Sequence, residues 1–154
     1  MLVLPLLLGC KKEDEVAPTK RDALTKATWI QTALTVSPAL NGQTDYFKDF
    51  DACTKDDVYR YATDGKYTAE EGASKCTTTA PTVFFEGTWR LTQDEQRLLL
   101  EYTEIGANNQ RSALQTQVRE VVGLTDLQLN LRYRITDPNT NTVYTVSETF
   151  QPKP

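Results

Sequence analysis

The chain has 154 residues, a formal net charge of −4, seven Tyr, two Trp and no His. A chain of this size buries about two-thirds of its unfolded surface, so one domain with a real core is expected, and the aromatic content argues against disorder. The acidic balance without a basic stripe argues against nucleic-acid binding, and the lack of His removes the commonest general base and the commonest zinc ligand.

Met1 to Gly9 is an apolar run, MLVLPLLLG, that ends at Cys10. It is too short to span a bilayer, which takes about 20 residues. It reads as the apolar region of a secretory signal lacking its basic start, so the true translation start is expected further upstream. Leu7-Leu8-Gly9-Cys10 resembles a bacterial lipobox, with a small residue, Gly9, before the cleaved bond. The resemblance implies that residues 1–9 are a signal peptide and that Cys10 is acylated and anchors the protein to a membrane. A buried strand fits poorly, because five charges, Lys11 to Glu15, follow at once. Residues 10–23 read as a solvated tether. Lys12-Glu13-Asp14-Glu15 also resembles the export signal of surface-exposed lipoproteins in some Gram-negative bacteria. The expected address is the cell envelope, lipid-anchored to the outer membrane, with surface exposure left open.

Thr19 is placed to cap a short helical turn, Lys20 to Lys26, with Ala23 and Leu24 packing inward. Ala27 to Val36 reads as the first strand. Trp29, Gln31, Ala33 and Thr35 share one face; Ile30, Thr32, Leu34 and Val36 share the other, so both faces carry apolar groups. Ser37-Pro38 is expected to break it, and Ala39 to Asp51 to form a long loop.

Cys53 and Cys76 bracket a hairpin whose turn is Asp64-Gly65. Two registers fit. The preferred one has a three-residue turn with Gly65 in the left-handed conformation and sets Tyr59, Tyr61 and Tyr67 on one face. Both cysteines lie at the open end of this hairpin. With Cys10 lipidated, one intramolecular pair is available in an oxidising compartment. Two free buried thiols are the other arrangement. A bridge closing a loop of about two dozen residues would contribute on the order of 3 kcal/mol.

Pro81 to Thr103 carries the strongest pattern, a strand, a tight reversal at Asp94-Glu95 and a second strand. A two-residue turn sets Leu91 opposite Leu98, Trp89 opposite Leu100 and Gly87 opposite Tyr102, which gathers one apolar row on one side. Arg111 to Val122 and Asp126 to Ile135 read as a further pair around Gly123-Leu124-Thr125, with Leu127, Leu129, Leu131, Tyr133 and Ile135 in one row. Helix is the minority reading of Arg111 to Val122. Thr142 to Phe150 is the last strand.

Eight consecutive strands joined mainly by short reversals form an all-β antiparallel meander that can close into a barrel, with residues 24–154 as its domain. Two stacked sheets are the other architecture. Ala27-Thr28-Trp29, the run Cys53 to Tyr59, Asp64-Gly65-Lys66-Tyr67, Cys76, Gly87-Thr88-Trp89 and Leu98-Leu99-Leu100 resemble bacterial lipocalin-like domain lipoproteins over nearly all of Leu24 to Gln151. The resemblance implies a small calycin-type barrel and a paired Cys53–Cys76, and lipocalins generally bind small apolar molecules.

The candidate ligand pocket is Trp29, Tyr61, Trp89, Leu100, Leu129 and Tyr133; aromatics of this kind more often form plain core. No Gly-rich phosphate loop is present, and no Ser or Cys nucleophile has a His to activate it. Asp45, Asp49, Asp51, Asp56 and Asp57 offer oxygens to calcium, but their spacing does not fit an EF-hand loop, so no metal is expected. Glu70-Glu71 opposite other carboxylates would mimic a glycosidase-type pair, but nothing in sequence sets their separation. The expectation is therefore a non-enzymatic, lipid-anchored barrel without cofactor, binding a small apolar or amphipathic ligand. The alternative is a solid barrel acting as an interaction or structural module of the envelope. The oligomeric state is left open.

Overall fold

The computed structural model describes residues 19–154; Cys10, the apolar run before it and the charged run after it lie outside the described residues. Nine strands occur among them: β1 (Thr28–Leu40), β2 (Gln43–Asp45), β3 (Val58–Tyr61), β4 (Lys66–Glu70), β5 (Val83–Leu91), β6 (Arg97–Glu104), β7 (Gln115–Leu124), β8 (Leu129–Thr136) and β9 (Val143–Pro152). Eight of these pair in the order β1-β3-β4-β5-β6-β7-β8-β9, and β9 returns to β1, every pairing antiparallel. This is a closed eight-stranded meander barrel, which leaves its wall without a free edge. β2 is an added arm on the far end of β1.

The expected break at Ser37-Pro38 does not occur. β1 runs on to Leu40 and turns back into β2 through Asn41 and Gly42, both at positive φ. Ser37 is the last β1 residue paired with β9, and the β1–β2 register jumps between Thr35 and Leu40. Pro38 therefore costs neither edge a regular ladder bond. β2 and a 3-10 turn (Phe47–Asp49) thus fall inside the expected loop, Ala39 to Asp51, and the short helix α2 (Ala52–Lys55) follows it.

Leu91–Leu98, Trp89–Leu100 and Gly87–Tyr102 are paired as the sequence register requires. Gly87 has no substitute there, because a Cβ would collide with the Glu101 carbonyl oxygen. Tyr61 pairs with Tyr67 and Tyr59 with Ala69 around Gly65 at φ 89°, the three-residue-turn register. The two faces of β1 are resolved by a bulge at Thr32. Before it Trp29 and Gln31 face inward; after it Leu34 and Val36 do, opposite Glu148 and Val146. β7 is a strand, and its turn lies at 125–128, later than expected, because a bulge at Val122 shifts the register by one. Leu127 consequently falls in the turn and is 77% exposed.

The helix α1 (Lys20–Lys26) forms as its sequence signals require. Thr19 and Asp22 make a reciprocal capping box, and Leu24 is buried. α1 binds all three hairpin turns at one end of the barrel. Lys20 donates to Glu95, Arg21 donates to the Thr63 carbonyl and Lys26 pairs with Asp126. This end is called proximal below, and the opposite one distal. Among the described residues no helix is long and apolar enough to cross a membrane.

Candidate functional site

Residues directly opposite each other in a ladder point to the same side of the sheet, so the register assigns the barrel's inner face. Near α1 that face is apolar. Leu24, Trp29, Trp89, Leu98, Val121, Leu129 and Phe150 form part of one buried cluster. The polar edges of the two tryptophans are satisfied there: Trp29 Nε1 donates to the Leu24 carbonyl and Trp89 Nε1 to the Ala62 carbonyl, both at 2.9 Å.

Midway along the barrel the inner face changes character. Arg119 of β7 and Glu148 of β9 are both buried and form an ion pair at 2.8 Å. Gln117 fixes the guanidinium from the other side, its side-chain oxygen accepting from Nε at 3.2 Å and from Nη2 at 2.8 Å. The guanidinium also lies 5.2 Å from the Tyr133 ring centre.

Five tyrosines, Tyr59, Tyr61, Tyr67, Tyr102 and Tyr133, feel both charges of the pair. Burial pushes every one of these phenols up, Tyr133 to about 12, so all stay neutral O–H groups. Burial acts against charge on Arg119, but Glu148 and the tyrosines outweigh it and hold the guanidinium protonated. Burial raises the Glu148 carboxyl, and Arg119 offsets this in part. The Tyr61 hydroxyl is buried and has no hydrogen-bond partner among the described residues. The arrangement offers one compensated ion pair, a fixed amide and a ring of neutral phenols, a set that recognises a polar group beside aromatic faces.

Towards the distal end the inward residues lose cover. Tyr59, Phe85, Gln117, Tyr133 and Tyr144 are half-buried, and Glu104, Gln115 and Ile135 are exposed. Asp57 and Glu71 continue the inward rows of β3 and β4 at this rim. Burial first, then the charges of Asp56 and Glu71, raise the Asp57 carboxyl to about 6. Asp56 Oδ1 and Glu71 Oε2 are buried without hydrogen-bond partners among the described residues; Lys75 Nζ stands 3.9 Å from Glu71. The Cys53–Cys76 disulfide is formed, with its Cα atoms 5.2 Å apart, and ties α2 to the loop between β4 and β5 beside these acids.

Of the six expected pocket residues, Trp29, Tyr61, Trp89, Leu100 and Leu129 are at most 3% exposed and pack together in the core. Only Tyr133 is half-buried, against Arg119. Two surface grooves reach this set only at its edges, one at Tyr133 and one at Tyr61. One of about 330 Å³ runs along the outer wall of β6 to β9, and one of about 200 Å³ lies where α1 joins β1 and includes Tyr61. Asp45, Asp49 and Asp51 are exposed, and among the described residues no three acidic or Cys side chains group as a metal site.

Sequence reasoning missed Arg119, Glu148 and Gln117. Their signal was phase: Gln117 and Arg119 stand in step with buried Val121, and Glu148 stands between buried Val146 and Phe150. No family model matches the chain. No curated protein matches it either. What the fold and site define is a closed eight-stranded barrel, disulfide-tied at its distal end, with an ion pair in its interior.

Proposed function

We propose that this chain is a non-enzymatic, lipocalin-like binding module of the bacterial cell envelope. It is held to the outer membrane through acylated Cys10 and takes a small amphipathic ligand from the distal end. The observation that carries the reading is the buried Arg119–Glu148 pair beyond the apolar proximal core, with five tyrosines that feel its charges. A buried ion pair is commonly no better for stability than apolar residues of the same volume. Its presence is better explained by a ligand's polar group than by folding. The orphaned Tyr61 hydroxyl supports this, since a buried hydroxyl without a partner costs about 1–3 kcal/mol that a ligand acceptor would relieve. The lipobox resemblance at Leu7 to Cys10 supports the anchor.

Native mass spectrometry of protein gently extracted from host membranes tests both parts. A co-purifying small molecule is expected, absent from the Arg119→Met/Glu148→Leu double variant. A clean apo mass for the wild type removes the ligand. An acylated Cys10 is expected at the mature N-terminus, and an unmodified Cys10 removes the anchor.

The second reading is a solid barrel whose exterior contacts another envelope component. The tight packing of Trp29, Trp89 and Leu100, where a deep pocket was expected, favours it.

A further inference from the structure

The outer wall of the barrel carries a basic face on a chain whose net charge is −4. Arg97 of β6 pairs across the sheet with Glu120 of β7, and Glu120 with Arg132 of β8. Arg134 lies two residues further along β8, on the same side as Arg132, and Val118 two residues from Glu120. Arg97, Val118, Glu120, Arg132 and Arg134 line one groove of about 330 Å³, and all five are exposed.

Its charges do not cancel. Glu120 is fully engaged by Arg132, whose Nε and Nη2 reach both carboxylate oxygens at 2.9–3.0 Å. Arg97 and Arg134 make no ion pair among the described residues, and Arg90 extends the face on β5, opposite Leu99. Asp94 of the β5–β6 turn lines a groove with Arg97 and feels its charge, and Glu101 stands further along β6, so the face keeps a smaller basic excess than its arginines alone would give. An arginine fork with free donors suits planar or tetrahedral oxyanions, and the exposed Val118, opposite Leu99, lines the same groove.

Where the chain enters the domain decides what this face meets. Lys20 is hydrogen-bonded to Glu95, two residues before Arg97, so the N-terminal segment joins the barrel beside the groove. Eight residues lie between Cys10 and Thr19, and those nine residue steps, fully extended, reach only about 30 Å. A barrel anchored at Cys10 is thus held within reach of the lipid headgroups with its basic wall nearest the tether.

We infer that Arg97, Arg132 and Arg134 dock the barrel sideways on a phosphate-bearing membrane surface, leaving the distal end clear. The inference takes its geometry of approach from the anchored reading. Its test is independent of acylation.

The full chain carrying Cys10→Ser is mixed with vesicles of neutral phosphatidylcholine, or of the same lipid with about one-third phosphatidylglycerol. Sedimentation with the anionic vesicles is expected, weak with the neutral ones, and lost at high salt as screening shortens the reach of charge. Arg97→Gln/Arg132→Gln/Arg134→Gln should lower retention at least about fivefold, as expected when three surface-facing cations are removed. Lys48→Gln/Lys55→Gln/Lys75→Gln removes the same charge from the distal loops and should leave retention unchanged, with circular dichroism confirming both folds. Equal loss in the two triple variants, or equal retention on both vesicle types, overturns the inference. Displacement by millimolar inorganic phosphate would assign the face to a small free anion and overturn it as well. An unacylated Cys10 in the host with intact vesicle binding would remove the anchor and leave the docking face standing.

Discussion

The two ends of this barrel are built from the same eight strands, yet they do opposite things with their buried polar groups. At the proximal end every indole N–H finds a carbonyl, and α1 is bonded to each of the three hairpin turns. At the distal end a disulfide ties loops beside Asp56 and Glu71, each of which has one buried oxygen without a hydrogen-bond partner among the described residues, and the interior below them holds an ion pair. Among the described residues the proximal wall leaves one buried hydroxyl, that of Tyr61, without a partner, and the distal rim leaves two carboxylate oxygens so. Buried polarity that is kept against its cost of desolvation points to where a molecule works, and unpartnered carboxylate oxygens carry more of that cost than one phenol.

The largest expected effect breaks the interior pair. Glu148→Leu alone leaves Arg119 charged and without its carboxylate in a buried site, and should destabilise the protein by about 3–5 kcal/mol. Arg119→Met/Glu148→Leu removes both charges and should recover most of that loss. Urea unfolding followed by tryptophan fluorescence measures both, since Trp29 and Trp89 lie in the proximal core. A double variant as unstable as the single one would mean that the pair holds the fold together, and the contrast between the ends would fail.

How much of this was legible depended on where local chemistry and side-chain phase agreed. The β5–β6 register was readable because one register alone placed Leu91, Trp89, Leu98 and Leu100 on one side. The β3–β4 register was readable because Asp64-Gly65 fixes a turn and the tyrosines choose between two pairings. β1 was ambiguous because the bulge at Thr32 switches its phase partway, an event that depends on β9, more than a hundred residues away in sequence. Pro38 misled for a related reason: its effect depends on which edge is paired at that point. Arg119 and Glu148 were invisible as a pair because an inward charge in a strand reads as an exposed residue until closure brings β7 and β9 within reach across the lumen. Expected pocket residues became core because burial alone does not separate packed aromatics from lining ones.

A smaller effect sharpens the contrast at the distal rim. Burial, with Asp56 and Glu71 adding to it, raises the folded-state Asp57 carboxyl to about 6 from 3.8, while the Gly72 N–H opposes the shift. The folded state therefore binds a proton more tightly than the unfolded chain. Stability from this group is fully present below about pH 4 and is lost as pH rises through about 6. Asp57→Asn should raise stability at pH 7 by up to about 2–3 kcal/mol and flatten the dependence between pH 4 and 7. Glu148, raised in the same direction, leaves a residual slope. Unfolding midpoints in urea across this range measure it. An unchanged slope in the variant would show that the rim acids are not electrostatically strained.

The smallest effect tests the proximal end. A seven-residue helix is not stable alone, so α1 exists through its capping box, buried Leu24 and its bonds to the turns. Thr19→Ala removes the side-chain acceptor for the Asp22 N–H, and with it the hydroxyl that holds the Asp22 carboxyl below its usual range. Loss of such a cap costs about 1 kcal/mol, or roughly 2–4 °C in Tm for a chain of this length. The Trp29 indole donates to the Leu24 carbonyl, so fraying of α1 should expose it before the barrel opens. Acrylamide quenching should rise at temperatures where β-sheet circular dichroism is unchanged. If quenching and circular dichroism instead move together, α1 is not a separable lid but part of the same cooperative unit as the wall, and the proximal end owes its closure to the barrel core alone.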